Sequence, residues 1–138
     1  MAWLQEQGTT LLLIAGLVAF LLRGPVLARA TGVETLTVHD LARQLSSSAP
    51  PLLLDVRSPA EFATGHVPNA ILIPLPELRQ RLDELRPQAA SRAVAVICRS
   101  GNRSLHGAVL LKRSGFPQVV NVAGGIVNWK IQGYPLRG

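Results

Sequence analysis

The chain holds one cysteine, Cys98, placed where a thiol could act as a nucleophile. It follows the apolar run Val94-Ala95-Val96-Ile97 and opens the polar loop Arg99-Ser100-Gly101-Asn102-Arg103. Ser104 to Arg113 then reads as a helix. A cysteine attacks as its thiolate, so its surroundings must lower its pKa. Three features of this stretch could do so. A helix N-terminus presents unpaired N–H groups and the positive end of a dipole. Arg99 and Arg103 add cationic groups. Gly101 lets the backbone turn tightly enough to aim several loop N–H groups inward, an anion-binding concavity. Such a cradle suits an anion bound to sulfur or carried on it. The competing reading is a small buried core residue, since free cysteine is commonly buried. The polar, doubly basic loop favours chemistry.

Other chemistries find little footing. A single cysteine excludes an intramolecular disulfide, and no Cys/His cluster has zinc-ligand spacing. His39, His66 and His106 are scattered. The net charge is +6, and its distribution says more than its total. After Glu84 there is no acidic residue, while Arg86 to Gly138 carries eight basic side chains. That half contains the Cys98 loop, so its field would draw a small anion or an acidic partner. Nucleic acid is disfavoured: aromatic residues are 4% and no basic run is interleaved with them.

The elements that must position Cys98 can be read in order. Thr35-Leu36-Thr37 suits a short strand. Thr37-Val38-His39-Asp40 fits a capping box before a helix whose face is Val38, Leu41, Ala42 and Leu45. Leu52-Leu53-Leu54-Asp55-Val56 suits a strand buried on both faces of a parallel sheet. Ser58-Pro59-Ala60-Glu61 is a second capping box, with Pro at the first helical position, and Gly65 stops the short helix. Ile71-Leu72-Ile73 is a further strand. Pro76 to Leu85 spaces Leu78, Leu82 and Leu85 as an amphipathic helix. Val94 to Ile97 is the central strand, Gly115 a helix stop, Val119 to Val122 the last strand and Ile126 to Gln132 a last helical turn or two. Strands and helices alternate about five times, which is the α/β class with a mainly parallel sheet.

The N-terminus stands apart. Leu11 to Leu22 is unbroken apolar sequence, and Gly8 to Leu22 is uncharged. At about 1.5 Å per residue that covers only ~22 Å of a hydrocarbon core about 30 Å thick. Starting at Trp3, with Trp3 and Glu6 at the head-group level, lengthens the span. Residues 1–24 are therefore expected to form a transmembrane segment, 25–33 a linker and 34–138 the folded domain. Met1 to Thr10 has no Lys or Arg, whereas Arg23 and Arg29 follow the apolar block. The positive-inside rule then places the domain in the cytoplasm, held to the cell membrane by a single pass. The alternative is export after cleavage near Ala30, since Ala28-Arg29-Ala30 has the small-x-small form of a signal-peptide site.

Three blocks of residues carry a family resemblance. Cys98-Arg99-Ser100-Gly101-Asn102-Arg103 resembles the six-residue active-site loop of the rhodanese sulfurtransferases. Asp55 to Ala70 (Asp-Val-Arg-Ser-Pro-Ala-Glu-Phe-Ala-Thr-Gly-His-Val-Pro-Asn-Ala) is similar to the family's other signature. Gly124-Gly125-Ile126, Trp129 and Gly133-Tyr134-Pro135-Leu136 resemble its usual ending. The resemblance covers about Glu34 to Gly138. It implies a five-stranded parallel sheet flanked by helices and transfer of sulfane sulfur through a persulfide on Cys98. A donor such as thiosulfate would give its outer sulfur to Cys98, and a thiol, a protein acceptor or cyanide would take it. Arg99 and Arg103 would hold the anionic donor, with the N–H groups of Ser100, Gly101 and Asn102 stabilising the persulfide. No metal or organic cofactor is implied.

Asp55 is the remaining candidate: it could sit beside the Cys98 loop and orient its backbone or Arg99. Arg57 reads as the partner of a carboxylate, Glu61 as a helix cap and His66 as a turn residue. Trp129 and Tyr134 read as packing residues. Two rival functions differ in testable ways. Phosphatases and arsenate reductases of related fold use a loop one residue longer, Cys-x5-Arg; here Arg103 is the fifth residue after Cys98, which favours sulfur over a phosphate ester. A membrane-tethered persulfide carrier or docking module would keep the thiol without turnover.

Overall fold

The computed structural model describes the backbone of residues 2–138 and the side chains of residues 7–23 and 32–138. The chain divides into two compact units, Met1–Thr31 and Gly32–Gly138. In the second unit, strands β1 (Glu34–Leu36), β2 (Leu52–Asp55), β3 (Ile71–Leu72), β4 (Val94–Ile97) and β5 (Val119–Val122) form one sheet in the order β1-β5-β4-β2-β3. Every pairing is parallel. Between the strands run helices α2 (Val38–Leu45), α3 (Pro59–Ala63), α4 (Leu75–Leu78), α5 (Leu82–Ala89), α6 (Asn102–Arg113) and, last, α7 (Gly125–Ile131). The expected α/β class and five-stranded parallel sheet are observed.

The strand patterns explain the layering. Side chains alternate across a strand, so a strand covered on both faces must be apolar throughout. In β2 and β4 every residue is buried. Leu52, Leu54, Val94 and Val96 join one core with Leu78, Leu85, Ala108 and Leu111 of α4, α5 and α6. Leu53, Ala95 and Ile97 join a second core with Val38 and Leu41 of α2 and Ile126 and Trp129 of α7. Cys98 belongs to the first core, beneath α6. Pairing of Asp55 with Ile97 brings the carboxyl ends of β2 and β4 level. Ligands of open parallel sheets bind at such ends.

Local signals set the helix starts. Thr37 caps α2 by accepting from the Asp40 N–H at 3.1 Å. Ser58 and Glu61 form a complete capping box at α3, with Pro59 in the first turn. The single amphipathic helix expected over Pro76–Leu85 is divided: α4 passes through a 3-10 turn at Arg79–Arg81 into α5, and Arg81 leaves the helical region at φ −115° and ψ 15°. Leu78 and Leu85 are still fully buried, because the break keeps both on the core side.

The first unit is helix α1, Ala2–Thr31. Its backbone continues through residues 25–31, where a linker was expected. Leu11, Leu12, Leu13, Ile14, Leu17, Phe20, Leu21 and Leu22 are exposed on it. The expected membrane span is not supported: among the described residues no helix is long and apolar enough to cross a membrane. The uncharged stretch Gly8 to Leu22 spans only ~22 Å against a hydrocarbon core of about 30 Å. The anchoring expected of Trp3 and Glu6 lies outside the described side chains.

Candidate active site

Cys98 is the residue immediately after β4, and it is 1% exposed. Its Sγ accepts the Gly101 N–H at 3.1 Å. The Ser104 Oγ lies 3.3 Å from the sulfur. A thiol can donate to that hydroxyl, and the hydroxyl can donate back once sulfur is anionic. Ser104 is itself fully buried. Helix α6 begins at Asn102, two residues earlier than its composition suggests, and that start swings Ser104 under the sulfur. Gly101 is its N-cap, and no side chain caps the helix. The first N–H groups of α6 therefore have no capping side chain as acceptor, which leaves them available to an anion above the loop.

The loop is held open by its carbonyl side. Helix α7 donates its Ile126 N–H to Cys98 O at 2.9 Å and its Val127 N–H to Arg99 O at 3.0 Å. Asn121 Nδ2 donates to Gly101 O at 3.3 Å, and the Leu105 N–H donates to the same oxygen at 3.3 Å. With those carbonyls engaged by α7, β5 and α6, the Gly101 N–H is free to turn to sulfur. Two glycines make this possible. Gly101 adopts φ +105°, where a side chain is strained. At Gly125 a Cβ would lie 2.3 Å from Cys98 O, so no other residue allows α7 this close.

The charged groups are arranged differently from the sequence expectation. Arg103, expected to hold an anionic donor, gives its Nη1 and Nη2 to the two oxygens of Glu61 at 2.7 and 2.8 Å. The matching planar fork and carboxylate explain the preference. This bond pulls the Glu61 carboxyl from 4.5 down to about 2 and raises the Arg103 guanidinium further. Asp55 does not reach Arg99. It accepts from Arg57 Nε at 3.0 Å and Nη2 at 2.8 Å, and from the Arg57 backbone N–H at 3.0 Å. Arg57 in turn binds Glu61 O at 3.2 Å and Gly65 O at 2.8 Å. The result is a relay of fixed contacts, Asp55 to Arg57 to α3, then Glu61 to Arg103 beside the loop.

Arg99 and Ser100 are exposed, and Arg99 makes no ion pair among the described residues. Arg99 is therefore the loop cation left for a ligand. Asn102 is exposed at the start of α6. His66 bonds the Phe62 carbonyl through Nδ1 at 3.0 Å, and its backbone pairs with Arg137, as befits a turn residue. Trp129 is buried and donates to Pro135 O at 2.9 Å. Sequence reasoning missed Ser104 and Asn121 as neighbours of the loop. The helical spacing Gly101 to Leu105 could have pointed to Ser104; no local pattern singles out Asn121.

This geometry can stabilise a sulfur anion with little reorganisation: one N–H and one hydroxyl already face Sγ, and a cation stands at the rim. Comparison with known proteins agrees with the fold. The family model for the rhodanese-like domain matches residues 37–132. A sulfurtransferase of Allochromatium vinosum is 34% identical over 104 residues, covering 75% of this chain and 94% of that protein. A candidate sulfur carrier protein of Bacillus subtilis, YrkF, is 31% identical over 100 residues, and 72% of this chain spans 52% of it. The crystal structure of a thiosulfate sulfurtransferase from Pseudomonas aeruginosa aligns with a TM-score of 0.72 at 28% identity, covering 83% of this chain and 22% of that one. A match over most of residues 32–138, together with a buried cysteine cradled at the end of the central strand, makes this chain a member of the rhodanese-like domain family.

Proposed function

We propose that this chain moves sulfane sulfur through a persulfide on Cys98. The observation that carries the reading is the sulfur's own environment: Sγ faces the Gly101 N–H and the Ser104 hydroxyl at the uncapped start of α6. In the first half-reaction the Cys98 thiolate attacks the outer sulfur of thiosulfate or a similar donor. The donor S–S bond breaks, sulfite leaves with the bonding pair, and Cys98 carries the terminal sulfur as an anion. In the second, a thiolate or cyanide attacks that terminal sulfur and Cys98 thiolate leaves. Arg99 steers the anionic donor, and the loop N–H groups of Ser100, Gly101 and Asn102 receive the charge of the persulfide. Arg103 acts through Glu61, as a strut. The Allochromatium and Pseudomonas relatives support sulfur transfer, and the name of the latter supports thiosulfate as donor.

The test has two parts. Protein treated with thiosulfate should gain the mass of one sulfur on Cys98 and release sulfite. Cys98→Ser should keep the fold and lose transfer to the background rate; turnover comparable to wild type would end the proposal. A second reading, a carrier that passes sulfur between proteins without free turnover, is favoured by the likeness to the Bacillus protein. It predicts the same persulfide but slow release to cyanide or small thiols and fast release to a protein acceptor.

From the sequence alone we further propose that the apolar block Leu11–Leu22, followed by Arg23 and Arg29, holds the domain at the cytoplasmic face of a membrane, although no described helix is long and apolar enough to cross one. A reporter fused after Gly138 should then behave as cytoplasmic. An exported reporter, or a mature chain starting at Thr31, would favour signal cleavage near Ala30.

A further inference from the structure

We infer that Asn121 is a positioning residue for the Cys98 sulfur, acting through the Gly101 carbonyl. Asn121 lies on β5, between β1 and β4, and is 7% exposed. It shares its strand face with Val119, which packs in the core beneath α6. An apolar residue would be the stable choice there, because burying an amide costs free energy unless all of its hydrogen bonds are made. They are not made. Asn121 Oδ1 is the single buried side-chain nitrogen or oxygen without a hydrogen-bond partner among the described residues. The cause is the other end of the same amide: Nδ2 donates to Gly101 O at 3.3 Å. Turning the amide over would set two acceptors against each other, so the orphaned oxygen follows from the bond to Gly101.

That bond grips the residue that serves the sulfur. Gly101 presents its N–H to Cys98 Sγ at 3.1 Å and its carbonyl to Asn121 and Leu105, each at 3.3 Å. It does so at φ +105°, in a region where glycine has wide freedom. A glycine gripped only by the first helical bond of α6 could rock and carry its N–H off the sulfur. The Asn121 amide takes the second lone pair of the carbonyl, pins the Gly101–Asn102 peptide plane, and so narrows the Gly101 torsions through which its N–H is carried toward sulfur. A buried orphan retained at such a place marks a group kept for the site at the expense of the core.

The inference rests on the proposed role of Cys98 for its effect on turnover, but its direct readout does not. The experiment follows the rate of iodoacetamide alkylation of Cys98 against pH in the full chain, with the melting temperature measured in parallel. Asn121→Leu removes both the useful donor and the orphaned acceptor. It should keep or raise the melting temperature while moving the alkylation profile to higher pH, with roughly threefold to tenfold slower alkylation at neutral pH, about the effect of weakening one ordinary hydrogen bond. A folded Asn121→Leu with the wild-type profile overturns the inference. So does an Asn121→Leu chain that cannot fold, because the amide would then be structural. If the wild-type protein forms no persulfide yet the profiles shift as stated, the sulfur-transfer reading fails and the positioning role stands.

Discussion

The chain leaves the carboxyl ends of β2 and β4 side by side, with Asp55 level with Ile97, and treats charge in opposite ways at the two exits. After β2 the charges are full and they are spent on one another. Asp55 is closed by Arg57, and Arg57 uses its remaining donors on carbonyls of the following segment. After β4 no formal charge is buried. There the positive character comes from N–H dipoles: carbonyls are turned to α7 and β5, the Gly101 N–H is left toward Cys98, and the start of α6 has no capping side chain. The first exit is a framework. The second is a site, because preorganised dipoles can receive an anion without losing a partner. Glu61 and Arg103 join the two, one residue from each exit.

Breaking the β2 exit should therefore act on stability, and breaking the β4 exit on chemistry. Arg57→Ala leaves the Asp55 carboxylate, which is fully buried, without its partner. We expect a loss of about 3–5 kcal/mol in urea unfolding, the usual result of orphaning a buried charge. Replacing both, Asp55→Asn with Arg57→Leu, should recover a good part of that. Equal losses from the single and double changes would show that the pair does not act as a unit.

Arg99→Gln should do the reverse. Arg99 is exposed and bonded to no carboxylate, so its loss should leave unfolding unchanged. It should raise KM for thiosulfate by about fivefold to tenfold with kcat nearly constant, and flatten the salt dependence of kcat/KM. A change in kcat with KM constant would assign Arg99 to the chemical step. Ser104→Ala removes the buried hydroxyl 3.3 Å from Sγ. Alkylation of Cys98 at neutral pH should slow by about fivefold, with a smaller effect on folding than Arg57→Ala has. Alkylation at the wild-type rate would mean that the Gly101 N–H alone supports the thiolate.

The two exits also differ in how far they can be read from sequence. Strands β2 and β4 announce themselves as unbroken apolar runs, and Ser58 with Glu61 is a local capping pattern, so the fold class and the α3 start follow directly. The Cys98 loop is equally local: a thiol, a glycine and two arginines in six residues. Arg103 is where the local reading misses a partner. Its partner Glu61 is 42 residues away, and nothing in the spacing of either residue says that β2 and β4 are neighbours with level ends. Ser104 was hidden by a helix start two residues off, and Asn121 by looking like any strand residue. The split of Pro76–Leu85 was hidden because Leu78 and Leu85 reach the core either way. What a sequence conceals here is cross-chain pairing of polar groups, since periodicity reports burial and is silent on partners.

The bridge between the exits should respond to acid. The Glu61 carboxyl lies at about 2 in the fold against its ordinary value of 4.5, chiefly through its bond to Arg103. A carboxyl depressed by folding stabilises the fold above its unfolded value, and that contribution fades as pH drops through the folded one. The bridge's contribution to stability should thus be complete above pH ~4.5, shrink below that, and vanish as pH falls through ~2. Both side chains are partly exposed, at 40% for Arg103 and 32% for Glu61, so solvent screening limits its contribution to about 1 kcal/mol. Glu61→Gln should lower stability at pH 7 by about that amount and match wild type near pH 2, so the difference between the two proteins should shrink between pH ~4.5 and ~2. A constant difference across that range would place the effect of Glu61 in its cap on α3 instead of its bond to Arg103. If the bridge acts as a strut, as proposed, Glu61→Gln should also leave KM for thiosulfate unchanged at pH 7, and a rise in KM comparable to that of Arg99→Gln would return Arg103 to the binding of the donor.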